Sequence, residues 1–448
     1  MLRRHRLASL AIAAFLVAGL AAPVAAAPTW TTPVTATGTT GWGGVQSVVA
    51  KDGTVIIVRA VGVGGTTNRL EARVRAPGAN RFRSIAQSPE GDFLGLTSLV
   101  ASPDGDGWAA TTADGPAGVA GIRLWRIDVT ARRWVPAGRP FRGAVERDYR
   151  LSTASLTRAG DGTFTIAGIA APKSPPAGDP VYRIVVATGR AGGSFATRFL
   201  TSADVHATTP GIAGNARGEI VVPFIQGYDL AEMTPRVAIR SASGRWRTIT
   251  LGPAGDSQRI RAAIGPDGTV GVTWLAPANA PFTEVELVTL GAGCGTSCIA
   301  THTLATGLPA KDQIAVAVEA DGDVLAGWVQ PDGSATRIWL AHADGGVPAP
   351  QVVSEDGRKV RLSGLVPIGG SRIGMIGVLF TTGFDGLGLR YWPVRNGTAG
   401  SMVTLTGSEA ADGAVNNEQL GFAKGLGTIT WMRGTYPATT ISVTDQRR

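Results

Sequence analysis

Three polar stretches of the chain combine acids with tyrosine, arginine or histidine, and these are the side chains that carbohydrate chemistry uses. The stretches are GAVERDYR, SADVHATTP and QGYDLAEMTPR. Their candidate ligand residues are Glu146, Arg147, Asp148, Tyr149, Arg150, Asp204, His206, Tyr228, Asp229 and Glu232. Carboxylates beside tyrosine and arginine suit sugar binding or glycoside hydrolysis. Salt-bridged surface loops would use the same residues, so the pattern marks a candidate ligand face and leaves the catalytic residues unknown.

Two cysteines in GAGCGTSCIA offer either a disulfide or part of a metal site. Cys294 and Cys298 are close in the chain, and the cysteines of a secreted protein are expected to pair. Zinc binding with His302 is the alternative, but zinc thiolate sites use four ligands and this segment offers three. Asp321 and Asp323 are spaced as in a calcium loop but lack the ligands that should follow, so we assign them to a turn. We predict a disulfide, no metal and no cofactor.

Composition and motifs exclude several classes of function. The chain has no Gly-x-Ser-x-Gly, no His-Glu-x-x-His and no phosphate loop ending in Gly-Lys-Ser/Thr. The formal net charge is +9 over 448 residues, and the arginines are scattered along the chain. Nucleic-acid binders gather such charge into a patch. We therefore expect no nucleic-acid partner, although the summed field can attract anionic wall polymers.

The N-terminal segment has the order of a secretory signal peptide. MLRRHR is basic, an apolar run follows, and three alanines precede Pro28. No later stretch is long and apolar enough to span a bilayer. We expect residues 1–27 to be removed and residues 28–448 to form a single domain outside the cell.

The rest of the chain repeats a short pattern, and the repeat must position the polar stretches. GPDGTVGVTW, at 265–274, has looser copies such as KDGTVIIVRA and ADGDVLAGWV. An Asp-Gly turn between two alternating apolar runs predicts a β-hairpin. The turn glycines recur every 48 to 57 residues, at Gly53, Gly105, Gly162, Gly218, Gly268, Gly322, Gly370 and Gly425. Such a period predicts a repeat architecture.

Each hairpin is followed by a third apolar run and a fourth, and the fourth often opens with an aromatic residue, as at Phe82, Trp134, Phe195 and Trp246. Four short strands per repeat make one propeller blade. The last repeat lacks its fourth strand, and the run that begins at Trp30 can supply it and remove the open edges. We predict an all-β propeller of eight four-stranded blades, closed by this N-terminal strand. Seven blades is the alternative count.

Hairpins such as PDGTVGVTW, followed by strands such as TRIWLAHA, resemble blades of the secreted sialidase-like propellers, the superfamily with BNR or Asp-box repeats. The nearest string to an Asp-box is SPDGDGW, at 102–108, which is one residue short and lies at an inner hairpin, so we count no true Asp-box. The resemblance implies a propeller fold and sialidase-like hydrolysis as one candidate activity. The family's arginine triad, acid/base and tyrosine nucleophile find no matching context, so no catalytic position carries over.

Propeller geometry places the candidate residues on one face. Connections between strands two and three, and between successive blades, lie together on the face that usually binds ligands. We therefore predict a monomeric binding module for an extracellular ligand, either a cell-envelope glycan or a protein. A sialidase-like glycoside hydrolase and a structural scaffold at the cell surface are the alternatives, and the prediction leans away from an enzyme.

Overall fold

The protein is described by a computed structural model that covers most of the chain. The described residues are 29–38, 45–86, 90–92, 94–114, 120–174, 181–208, 210–228, 232–253, 255, 258–277, 282–293, 298–309, 313–354, 357, 359–380, 386–405, 415–423, 426–433 and 440–446. The predicted signal peptide lies outside these ranges and stays a prediction. Within them, no helix has the length and hydropathy needed to cross a membrane.

Eight antiparallel sheets follow one another along the chain, and each is one blade. In the first half of the chain, β1 (Val34–Gly38) precedes blade 1, which contains β2 (Val45–Val49), β3 (Val55–Gly64), β4 (Thr67–Arg75), β5 (Arg83–Ser84) and β6 (Glu90–Asp92). Blade 2 contains β7 (Gly95–Ala101), β8 (Gly107–Asp114), β9 (Ala120–Asp128) and β10 (Arg133–Gly138), and the short helix α1 (Ala144–Asp148) follows it. Blade 3 contains β11 (Tyr149–Arg158), β12 (Phe164–Pro172), β13 (Arg183–Gly189) and β14 (Phe195–Phe199), and blade 4 contains β15 (His206–Thr208), β16 (Ala213–Gly214), β17 (Ile220–Gly227), β18 (Thr234–Arg240) and β19 (Trp246–Thr250).

The second half continues the same order. Blade 5 contains β20 (Gln258–Ile264), β21 (Val270–Pro277), β22 (Phe282–Leu290) and β23 (Ile299–Pro309), and blade 6 contains β24 (Ile314–Val318), β25 (Val324–Asp332), β26 (Ala335–Ala343) and β27 (Gln351–Val352). Blade 7 contains β28 (Lys359–Pro367), β29 (Arg372–Phe380), β30 (Gly386–Arg395), β31 (Thr398–Ala399) and β32 (Val403–Thr404). Blade 8 contains β33 (Val415–Ala423), β34 (Leu426–Arg433) and β35 (Thr440–Asp445). The prediction of an eight-bladed propeller is confirmed.

The repeated Asp-Gly turns join the first and second strands of the blades, as predicted. Seven of the eight turn glycines have positive φ, from +60° at Gly370 to +101° at Gly53, and Gly425 lies outside the described residues. Glycine adopts this conformation without the steric cost of a Cβ. In blade 5 the Asp267 carboxylate accepts a hydrogen bond from the backbone N–H of Thr269 at 2.9 Å. We call the side of the ring with these turns the turn face, and the opposite side the loop face.

The N-terminal strand closes the ring. β1 pairs antiparallel with β35 as the fourth strand of blade 8, and Trp30 forms a further bridge to Gln446. Arg75 of blade 1 then contacts both carboxylate oxygens of Asp445 in blade 8 at 2.5 Å. The two ends of the propeller therefore share one sheet. The prediction that the N-terminal strand completes the last blade is confirmed.

The hydrophobic core consists of eight clusters of buried side chains among the described residues, each between two successive blades. Tryptophans on second and third strands are main components. Trp274, Trp328, Trp392 and Trp431 are each at most 2% exposed. These tryptophans therefore pack successive blades together.

Candidate functional site

The candidate residues lie in connections that open on the loop face. Successive strands of a blade alternate in direction, so the end of one blade, the start of the next and the link between second and third strands share that face. α1 joins blades 2 and 3, residues 200–205 join blades 3 and 4, and Tyr228 follows the second strand of blade 4. Blades 3 and 4 are neighbours, so their connections adjoin.

A stacked group around Arg183 links the first stretch to the second. Its guanidinium carbon lies 3.7 Å from the centre of the Phe199 ring, and one nitrogen donates to the Thr201 carbonyl at 2.9 Å. Another nitrogen of Arg183 donates to the Tyr149 hydroxyl at 3.2 Å. The rings of Tyr149 and Phe199 are 5.0 Å apart. Arg183 is therefore fixed in direction before any ligand arrives.

The second and third stretches meet beside this group. The His206 ring lies 6.1 Å from the ring of Tyr182, and His206 pairs with Gly227, the residue before Tyr228. Tyr182 is 40% exposed and Tyr228 is 68% exposed. A hydrogen bond from Ser202 lowers the pKa of Asp204, and the charge of Arg183 contributes further. Two exposed rings and an ionised acid thus lie on the loop-face connections of blades 3 and 4.

The remaining candidates are placed less centrally. Glu146 forms an ion pair with Arg139, on the blade 2 side of α1, and a guanidinium nitrogen lies 2.7 Å from a carboxylate oxygen. Arg147 and Asp148 pair with each other at 2.8 Å in solvent, and this hydrogen bond lowers the pKa of Asp148. Arg150 is exposed at the start of β11, and Glu232 is exposed just before β18. Asp229 lies outside the described residues.

A groove of about 770 Å³ lies on the outer rim between blades 2 and 3. Its lining includes Trp125 and Phe195. Three arginines also line it: Arg123, Arg139 and Arg142. Arg139 is paired with Glu146, whereas Arg123 and Arg142 have no ion-pair partner in the described part of the chain. We call this feature the rim groove, and its chemistry suits an anionic group.

One group among the described residues could hold a metal ion, and it lies on the turn face. It consists of Glu319, Asp323 and His342. Cys294 lies outside the described residues, so its pairing with Cys298 stays a prediction.

Sequence reasoning missed Tyr182, Arg183 and Phe199, which organise the centre of the candidate site. All three lie at the loop-face ends of the outer strands of blade 3. The available signal was VYRIVVAT, in which a tyrosine and an arginine precede an otherwise apolar strand. Polar residues at that end of a third strand point to the same face as the inter-blade connections.

Comparisons with known proteins find similar solved structures at low sequence identity and with TM-scores below 0.5. No family model matches the chain. No curated protein matches it either. The polysaccharide lyase Uly1 is 11% identical, with 83% of this chain and 93% of that chain covered and a TM-score of 0.47. A prolyl endopeptidase is 15% identical over 88% of this chain and 54% of its own, also with a TM-score of 0.47.

A sialidase from Trypanosoma rangeli, in complex with the inhibitor DANA, is 9% identical over 66% of this chain and 55% of its own, with a TM-score of 0.37. Likeness at these TM-scores carries no argument about function. The function must therefore be argued from this chain's own residues.

Proposed function

We propose that the protein binds an extracellular glycan on the loop face of blades 3 and 4. The observation that carries this proposal is the exposure of two tyrosine rings, Tyr182 and Tyr228, on adjoining connections. An exposed apolar patch on a soluble protein marks a candidate interaction site. A tyrosine offers a sugar an apolar face for stacking and a hydroxyl for hydrogen bonding.

Polar groups of fixed direction surround these rings. Arg183 is held between the Phe199 ring and the Thr201 carbonyl, and the ionised Asp204 lies in the next connection. Sugar hydroxyls both donate and accept hydrogen bonds, so a cation and an anion of fixed position suit them. Groups already held in place lose little conformational entropy on binding.

The rim groove favours acidic glycans over neutral ones. Arg123 and Arg142 have no carboxylate partner in the described residues, and an arginine fork matches a carboxylate or sulfate group in shape and charge. Arg139 and Arg142 lie in the connection that leads into α1, so the groove and the loop-face site share one segment. A uronate-containing polymer could contact both.

Two observations favour binding over glycoside hydrolysis. A glycosidase needs a carboxylic acid that still carries its proton near neutral pH. The pKa of Asp148 is lowered by its hydrogen bond with Arg147, and the pKa of Asp204 is lowered by Ser202. Both side chains therefore serve better as hydrogen-bond acceptors than as general acids. Secretion, a monomeric state and a Cys294–Cys298 disulfide belong to this proposal as predictions from the sequence.

An array of acidic and neutral polysaccharides tests the proposal, with the purified protein applied at low and high salt. We expect binding to one class of acidic glycan that weakens with salt but persists, because stacking on tyrosine is insensitive to ionic strength. Binding that disappears completely at high salt would mean that surface charge alone attracts the glycan. The absence of any glycan ligand would contradict the proposal and favour a protein partner or a scaffold.

A further inference from the structure

Three side chains that commonly bind metals converge on the turn face, where blade 6 meets blade 7. Glu319 follows β24, Asp323 precedes β25, and His342 lies near the end of β26. One ligand atom from each lies within 4.8 Å of the others. His342 Nε2 is 3.2 Å from Asp323 Oδ2 and 3.8 Å from Glu319 Oε2.

Glu319 is the member that a protein-only arrangement leaves unexplained. Its side chain is 0% exposed, and neither carboxylate oxygen has a hydrogen-bond partner in the described part of the chain. Nε2 of His342 likewise lacks a hydrogen-bond partner there. Buried polar groups are normally paired, and an unpaired ionised carboxylate is costly. One imidazole N–H can serve only one acceptor, so His342 alone cannot satisfy both acids.

Local charge also favours a cation. Two further acids, Asp321 and Asp323, lie in the same turn as Glu319. Asp321 accepts a hydrogen bond from Ser371 of blade 7 and so is engaged elsewhere. The pocket therefore concentrates negative charge around Glu319 with a single histidine to offset it.

The surrounding backbone holds the three groups in place. The Glu319 N–H donates to the Asp323 carbonyl at 2.8 Å, which closes the turn between β24 and β25. His342 pairs with Leu325 in the adjacent strand. Gly397 of blade 7 packs so closely against the imidazole that a Cβ would collide with it. The histidine ring is thus confined on the side away from the acids.

We propose that Glu319, Asp323 and His342 bind a divalent transition-metal ion of the zinc type. Zinc takes histidine nitrogen and carboxylate oxygen together, whereas calcium and magnesium prefer oxygen alone. Two ligand atoms at the zinc distance in a tetrahedral site lie about 3.4 Å apart, close to the separations seen here. All three ligands belong to blade 6, and a water molecule would take the fourth tetrahedral position. The ion would therefore fix the turn between β24 and β25 against β26, on the face opposite the proposed glycan site.

Zinc binding to the whole protein, after removal of metals with a chelator, tests this inference by calorimetry. We expect one equivalent of Zn²⁺ to bind, and Glu319→Gln and His342→Asn each to weaken binding at least about tenfold. Asp344→Asn is the matched control, because Asp344 is an exposed acid two residues from His342 whose carboxylate accepts only a local backbone hydrogen bond. Its zinc affinity should equal that of the wild type.

Zinc-edge X-ray absorption supplies a readout that does not depend on variants. Nitrogen and oxygen ligands without sulfur would support the site. Sulfur ligands, or zinc binding that survives Glu319→Gln, would overturn it and point to Cys294 and Cys298 with His302 instead. Failure of the metal-free wild type to bind any Zn²⁺ would overturn it as well. None of these three results would bear on glycan binding.

Discussion

Loss of the Asp445 charge is predicted to weaken the closure of the propeller. Both terminal nitrogens of Arg75 contact the Asp445 carboxylate at 2.5 Å, across the junction of blades 1 and 8. The Arg75 side chain is 7% exposed and that of Asp445 is 30% exposed. Asp445→Asn keeps the size of the side chain but leaves the buried guanidinium without its counter-charge.

The expected loss in free energy of unfolding is about 3 kcal/mol, at the low end for a broken buried ion pair because Asp445 is partly hydrated. Arg190→Met is the control, since Arg190 and Asp161 form an exposed pair, and exposed pairs contribute about 0–1 kcal/mol. Urea unfolding followed by tryptophan fluorescence measures both variants. Adding Arg75→Met to Asp445→Asn should recover part of the loss. An effect no larger than that of the control would refute the closure role.

The remaining predictions concern other parts of the ring. Burial raises the pKa of Glu286, so its stabilising contribution is present below the unfolded pKa and is lost as the pH rises through the folded value. Glu286→Gln should therefore be more stable than the wild type at pH 8, and its advantage should vanish near pH 4 in thermal melts. Gly397→Ala should lower the melting temperature more than Gly345→Ala: both have positive φ, but only Gly397 abuts His342. Deletion of residues 30–37 should lower it further, because it removes most of the strand that pairs with β35, and an unchanged melting temperature would contradict that closure.

The fold could be predicted from the sequence because its signals are local and repeated. An Asp-Gly turn fixes a hairpin by itself, and Gly53 and its counterparts mark that turn at a regular period. The closure of the ring could also be predicted, because the run that begins at Trp30 matches the missing fourth strand of the last blade. These inferences require only the chemistry of a few neighbouring residues.

The candidate sites depend on contacts that the sequence does not encode locally. Tyr149 and Arg183 meet only because two strands of blade 3 begin at the same face. Glu319 and His342 meet only through the register that pairs Leu325 with His342. The sequence pattern assigned Asp321 and Asp323 to one turn, but the structure separates their roles, since Asp321 bonds to Ser371 and Asp323 faces His342.

Titration of the best-binding glycan against single tyrosine variants tests the central claim most directly. Tyr182→Ala and Tyr228→Ala should each weaken binding at least about fivefold, because each removes a stacking face at the centre of the site. Val347→Ala is the control: Val347 is 89% exposed but follows β26 on the turn face, so its affinity should match that of the wild type. Unchanged affinity in both tyrosine variants, with binding otherwise intact, would contradict a glycan site on blades 3 and 4.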